Sequence, residues 1–202
     1  DILGESSPAA DAELIALLFS ILTECGLQSE HFKIRLSDRV IWSLFLESRK
    51  IPEEKKADLL SVIDKSARRK PEATQEAMEA ILPGEGDSFL EAVEELKTVN
   101  SLDSVGKTLG SFSQSHGDKA DQRANEWGSL IDALEDLGCM ESVIIDLGIV
   151  RGLAYYTGFV YEAFETQAGS RALAGGGRYD DLVSKLTKGS ADLPATGFAL
   201  GD

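Results

Sequence analysis

Two short stretches concentrate residues that can grip a small polar ligand. The first, residues 150–162, contains Arg151, Gly152, the adjacent pair Tyr155 and Tyr156, and Gly158 in a segment otherwise patterned as a strand. The second is Gly175-Gly176-Gly177-Arg178-Tyr179-Asp180. A guanidinium carries a permanent charge and a fork of donors suited to phosphate or carboxylate. Tyrosine supplies a flat wall with a hydrogen-bonding tip, and glycine lets backbone approach a ligand closely. The types therefore suit the floor of a small-molecule site. They equally suit a strand whose tyrosines only pack, a glycine run that only turns, and arginines held in surface salt bridges.

Other candidate chemistry is weaker. Gly106-Lys107-Thr108 resembles the end of a phosphate-binding loop, but Ser101 stands where its first glycine belongs and no strand precedes it. His31 and His116 have no second ligand at metal spacing, there is no HExxH and no GxSxG, and no metal site is expected. Cys25 and Cys139 lack CxxC neighbours, which argues against a disulfide framework or zinc. Lys65, Arg68, Arg69 and Lys70 close a basic run that begins at Arg49 in a chain of net charge -15. The overall charge opposes non-specific nucleic-acid binding. The local cluster reads either as a solvated helix surface, since Glu53, Glu54, Asp58 and Asp64 interleave with it, or as a contact for an RNA phosphate backbone.

Elements that would position these residues can be read from periodicity. With 202 residues the chain can bury one substantial core. Ser7-Pro8 opens a helix whose apolar positions run from Leu14 to Cys25, and Gly26 stops it. Alternation at Phe32, Ile34 and Leu36 predicts a strand, and Asp38 begins a second helix. From about 49 to 117 only helical patterns occur, interrupted by Pro52, Pro71 and Pro83-Gly84 and ending in a polar loop over 111–117. A helix is predicted over 118–137, with Trp127, Leu130, Ile131, Leu134 and Leu137 inward. Strands follow at 143–145, 155–164, 172–174 and 196–200, with a helix over 179–186 turning Leu182, Val183 and Leu186 inward. Short links between strands predict an antiparallel sheet. The fold class is α+β with an all-α insertion: core at 1–49 and 119–202, helical insertion at 50–118. No apolar run is long enough for a membrane span, and the start at Asp1 without Met suggests a piece of a longer, cytoplasmic protein.

At the two opening clusters the sequence resembles the histidyl-tRNA synthetases, class II aminoacyl-tRNA synthetases. The stretch from Arg151 to Gly158 is similar to the family's first histidine-specific motif, and Gly176-Gly177-Arg178-Tyr179-Asp180 to the second. Both precede Gly197-Phe198-Ala199-Leu200-Gly201 in the family's order, and Asp1-Ile2-Leu3-Gly4 with Asp11-Ala12-Glu13 resembles the segment after class II motif 2. The resemblance implies part of the class II antiparallel sheet, activation of histidine by ATP, and transfer to the 3' end of a histidine tRNA. It implies Arg151 as the catalytic, ATP-binding cation at the α-phosphate, and Asp1, Tyr156, Tyr179, Gly176 and Gly177 around the histidine. Asp1 would bind the ammonium group and Tyr156 and Tyr179 would line the imidazole pocket. Tyr155, on the opposite face of the expected strand, would mainly pack. ATP arrives as a substrate with Mg2+, with no tightly bound cofactor. The insertion would reach the tRNA acceptor arm, with Lys65, Arg68, Arg69 and Lys70 as contact candidates, and the full-length parent would be a homodimer. Ala154 stands where the first motif usually has aspartate, and Asp202 where motif 3 usually has an apolar residue. Class II motif 1, most of motif 2 and the anticodon-binding domain are absent, so the isolated piece is expected to be inactive. Competing readings are the histidine-sensing regulatory subunit of ATP phosphoribosyltransferase and a non-catalytic tRNA-sensing module.

Overall fold

The computed structural model describes residues 1–66, 68–150, 155–166 and 172–201, with the side chains of 114 and 115 excepted. Strand β1 (Ile2–Leu3) leads to helix α1 (Pro8–Glu24), then β2 (Phe32–Asp38) and α2 (Arg39–Ser48). Three helices follow: α3 (Glu53–Ser66), α4 (Pro71–Ile81) and α5 (Gly86–Lys97). The long α6 (Leu102–Asp136) returns the chain through a 3-10 turn to β3 (Val143–Ile145). Strands β4 (Phe159–Glu165) and β5 (Ala172–Arg178), the short α7 (Leu182–Leu186) and β6 (Ala195–Leu200) complete it.

These strands form one six-stranded sheet in the order β1-β6-β5-β4-β2-β3. The fold is α+β, as the patterning implies. Every strand pair is antiparallel except one: β3 lies parallel to β2, with Ile34 opposite Val143. The short-link argument fails there because the chain between β2 and β3 is the whole helical segment, long enough for a crossover. Helices α1 and α6 pack together and cover one face of the sheet. Trp127 meets the Phe159 ring edge-on at 5.1 Å, and Phe19 lies 5.8 Å from Phe32. Buried Trp42, Phe45 and Phe89 continue this core into α3–α5, with ring centroids 5.7 Å apart at each step.

Four local expectations are corrected. Residues 111–117 belong to α6, not to a loop. The hydroxyls of Ser111 and Ser113 find helix carbonyls about one turn back, Ser111 Oγ donating to Thr108 O at 2.6 Å and Ser113 Oγ to Leu109 O at 3.4 Å. Such back-bonding satisfies the polar groups that favour turns, and it bends helices. The non-helical backbone at His116 marks the kink. Glycines 175–177 lie inside β5 rather than after a short strand, because β4 and β6 flank them closely. An added Cβ at Gly176 would overlap Gly197 O and Phe198 Cβ. The strand expected from Tyr155 begins instead at Phe159, since Gly158 O accepts from Arg39 N and Thr157 N donates to Arg178 O. Finally, Leu137 and Leu186 are exposed: Leu137 lies past the end of α6, and α7 has only five residues and no buried side chain. Smaller in effect, Ser7 makes no side-chain cap on α1, where Pro8 supplies the N-terminal geometry.

Candidate functional site

Tyr155, Tyr156 and Tyr179 converge where β4, β5 and β6 meet the turn preceding β4. The Tyr155 and Tyr156 rings are 4.8 Å apart at 61°, Tyr155 and Tyr179 5.7 Å at 79°, and Tyr156 and Tyr179 6.4 Å at 54°. Edge-to-face contacts of this kind are favourable between aromatic rings. Tyr155 is thus part of the same cluster as Tyr156. The face-alternation argument against it does not apply, because neither residue lies in a strand.

Asp1 reaches this cluster from the start of the chain. Its Oδ1 accepts a short hydrogen bond from Tyr179 Oη. Gly197 makes the approach possible: a Cβ there would fall on the Asp1 carboxylate and 2.9 Å from Tyr179 Oη. Gly177 likewise gives room to the Tyr156 ring, whose Cδ1 would lie 3.2 Å from an added Cβ. Gly176 and Gly177 therefore let neighbouring strands and a ring close up. Burial, followed by the neighbouring Tyr155 and Tyr179, pushes the Tyr156 phenol well up; burial and then Tyr155 push up Tyr179. Both hydroxyls stay protonated at neutral pH and can donate as well as accept.

Arg178 does not face a ligand. It is buried, and its guanidinium is fully engaged. Nε and Nη2 grip Asp11 Oδ2 at 2.9 and 2.8 Å. Nη1 donates to Glu5 O at 2.9 Å and Asp180 Oδ1 at 3.1 Å, and Nη2 to Ser7 O at 3.1 Å. Asp180 in turn accepts from Ala195 N at 3.1 Å and Thr157 Oγ1 at 3.3 Å. Arg178 thus ties β5, the β1–α1 link and the tyrosine-bearing turn together.

A second buried knot, unsuspected from the sequence, holds the other side of that turn. Asp38 is inaccessible and caps α2 by accepting from Val40 N at 2.7 Å. It also accepts from Arg123 Nε at 2.7 Å, Arg123 Nη2 at 2.9 Å and Trp127 Nε1 at 2.6 Å. The Arg123 guanidinium stacks on the Phe159 ring at 3.7 Å. Sequence patterning marks Asp38 only as a helix start and Trp127 only as an apolar position; the one signal it offers is Arg123, a charged residue one turn before Trp127 on the apolar stripe.

Arg151, with Gly152, Leu153 and Ala154, lies outside the described residues. Among the described residues, the Arg39 N–H donates to Gly158 O at 3.0 Å and its Nη1 to Val150 O at 3.5 Å. Lys65, Arg68, Arg69 and Lys70 are all exposed and share the α3–α4 corner, with Lys65 Nζ on Ser61 Oγ at 2.9 Å. Among the described residues no group of three or more His, Cys, Asp or Glu is placed to hold a metal ion, and no helix is long and apolar enough to cross a membrane.

A sequence profile described as Histidyl-tRNA synthetase matches residues 1–201. A histidine–tRNA ligase from Opitutus terrae is 42% identical over the whole chain, which spans 45% of that protein. One from Haloarcula marismortui is 36% identical, again over the whole chain and 44% of the relative. The chain thus spans less than half the length of these relatives. Among solved structures, a histidyl-tRNA synthetase from Nostoc sp. PCC 7120 superposes with a TM-score of 0.81 at 25% identity, over 99% of this chain and 47% of that one. An ATP phosphoribosyltransferase regulatory subunit/histidyl-tRNA synthetase from Bacillus halodurans C superposes with a TM-score of 0.79 at 25% identity, over 98% and 49%.

Proposed function

Since the chain belongs to the histidyl-tRNA synthetase family, we propose that it is the part of a histidine–tRNA ligase that recognises histidine and carries one cation of the ATP site. One observation carries the reading: Asp1 and Tyr179, 178 residues apart, join in a hydrogen bond beside Tyr155 and Tyr156. A carboxylate and three phenols thus meet at one spot. Such a set suits a ligand bearing an ammonium group and an imidazole, which offers one donor and one acceptor.

In the proposed reaction a histidine carboxylate oxygen attacks the ATP α-phosphorus and pyrophosphate leaves. The terminal adenosine hydroxyl of the tRNA then attacks the histidyl carbonyl, and AMP leaves. Asp1 holds the ammonium group, Tyr156 and Tyr179 line the imidazole pocket, and Arg151 neutralises charge developing on the α-phosphate. Mg2+ comes with ATP as part of the substrate. Residues 1–49 and 119–202 serve as catalytic core, and 50–118 as an insertion whose Lys65, Arg68, Arg69 and Lys70 meet the tRNA acceptor arm. The 202-residue piece alone is inactive in this reading.

Histidine-dependent ATP–pyrophosphate exchange by the full-length protein tests it. Arg151→Ala should raise the barrier by about 2–4 kcal/mol, as loss of other charge-stabilising donors does. The likeness to the Bacillus halodurans protein supports a second reading, a histidine-sensing regulatory subunit of ATP phosphoribosyltransferase. Histidine binding without any exchange in the full-length protein would favour that reading over the ligase.

A further inference from the structure

Three inaccessible side chains on the covered face of the sheet each leave a polar atom without a well-formed hydrogen bond among the described residues: Asp11 Oδ1, Tyr161 Oη and Thr196 Oγ1, the last still close enough to the Asp11 carboxyl to favour its charged form. The strand register brings them together. Tyr161 pairs with Gly176, and Arg178, two residues further along β5, pairs with Thr196. Alternation along strands puts Tyr161, Gly176, Arg178 and Thr196 on one face. Asp11 reaches that face from α1, and its other oxygen, Oδ2, already holds Arg178. Ser37 and Ser142 also have unpartnered hydroxyls, but they lie apart, at β2 and just before β3.

Burial of unpartnered polar atoms is costly, and three on one patch of one face are unlike the usual protein interior. Their chemistry defines what relieves the cost. A carboxylate oxygen only accepts, whereas the two hydroxyls can each donate and accept. Burial pushes the Asp11 carboxyl up and Arg178 pulls it back; with that cation already on Oδ2, a neutral occupant fits better than a second cation. The occupant must be small, with both donors and acceptors. We propose that Asp11, Tyr161 and Thr196 bind one ordered water molecule, which donates to Asp11 Oδ1 and Thr196 Oγ1 and accepts from Tyr161 Oη. Internal waters typically make two to four such bonds to otherwise unsatisfied groups. A cleft of about 430 Å³ lined by Asp11, Arg178, Thr157 and Asp180 among others borders the Asp11 side of this place. The electrostatics agree: burial and then the Asp11 carboxylate push the Tyr161 phenol up, so it stays a donor. The water steadies the carboxylate that holds Arg178, and so the end of β5 next to which Tyr179 lies. The inference stands whether or not the protein activates histidine.

A crystal structure of the full-length protein at a resolution that shows waters should have a peak within hydrogen-bonding distance of all three atoms. Tyr161→Phe supplies an independent test through the sign of its effect. With the water present, the variant removes one of its partners, and the melting temperature falls by roughly 1–3 °C. In a dry site the variant deletes an unsatisfied hydroxyl, and the melting temperature rises. A rise, or a structure in which Tyr161 Oη donates directly to Asp11 with no peak between them, overturns the proposal. Neither measurement uses histidine, ATP or tRNA, so its failure is separate from failure of the ligase reading.

Discussion

Replacing Arg123 by methionine should be among the most damaging single changes outside the tyrosine cluster. Asp38 is fully buried and receives two of its four hydrogen bonds from Arg123. Burial alone would lower the Arg123 pKa, but Asp38 and then Glu126 outweigh it and raise it, as expected for a guanidinium held by its partners. Breaking a buried ion pair from one side costs about 3–5 kcal/mol, because the remaining charge is left uncompensated. Here the Val40 and Trp127 N–H groups stay on the carboxylate, and methionine keeps much of the packing against Phe159. The lower end follows, about 3 kcal/mol, a factor of roughly 150 in the folding equilibrium. Asp38→Asn removes the charge and retains a side chain able to cap α2. The double variant should therefore recover about 2 kcal/mol of the Arg123→Met loss. Urea unfolding of the full-length protein, followed by circular dichroism and by fluorescence, measures all three. A loss below 1 kcal/mol for Arg123→Met, or a double variant no more stable than Arg123→Met alone, would refute the uncompensated-charge argument.

On the proposed ligase reading, Gly197→Ala in the full-length protein should raise KM for histidine about tenfold or more while leaving thermal stability nearly unchanged. Its Cβ intrudes on Asp1 and Tyr179 and not on the apolar core; an unaltered KM would detach Asp1 from substrate binding. Removing charge at Lys65, Arg68 and Arg69 together should weaken tRNA binding and make its salt dependence shallower by roughly two in log–log slope. Pyrophosphate exchange should persist in that variant, and an unchanged tRNA affinity would return the corner to a solvated surface.

Much of the architecture was legible because it is written in local periodicity. The apolar spacing of α1 and the alternation in β2 mark buried faces directly. The Arg123–Asp38 knot was not legible, since its partners are 85 residues apart and each looks ordinary among its neighbours. The glycine run misled for a related reason. Its local propensity is that of a turn, and only the closeness of β4 and β6 makes it a strand. Residues 111–117 were misread because hydroxyl side chains favour turns only until a helix offers them carbonyls. At the site, the motif residues Tyr156 and Tyr179 do come together with Asp1. Face alternation says nothing of Tyr155, because the strand starts four residues later. Arg178 carried two plausible roles, and its five contacts assign it to holding the fold.

The order in which the ribosome releases these elements has its own consequence. β2 emerges early, but both strands that pair with it come after the whole helical segment. At synthesis rates of about 5–20 residues per second, Asp38 waits on the order of ten seconds for Arg123. During that interval an apolar strand and a lone carboxylate that will later be buried are both open to water and to other chains. The helices α3–α5, built from neighbouring contacts, can form meanwhile. Nascent chains that end before α6 should thus be the ones most dependent on chaperones, and trigger-factor-type holdases should bind them around β2.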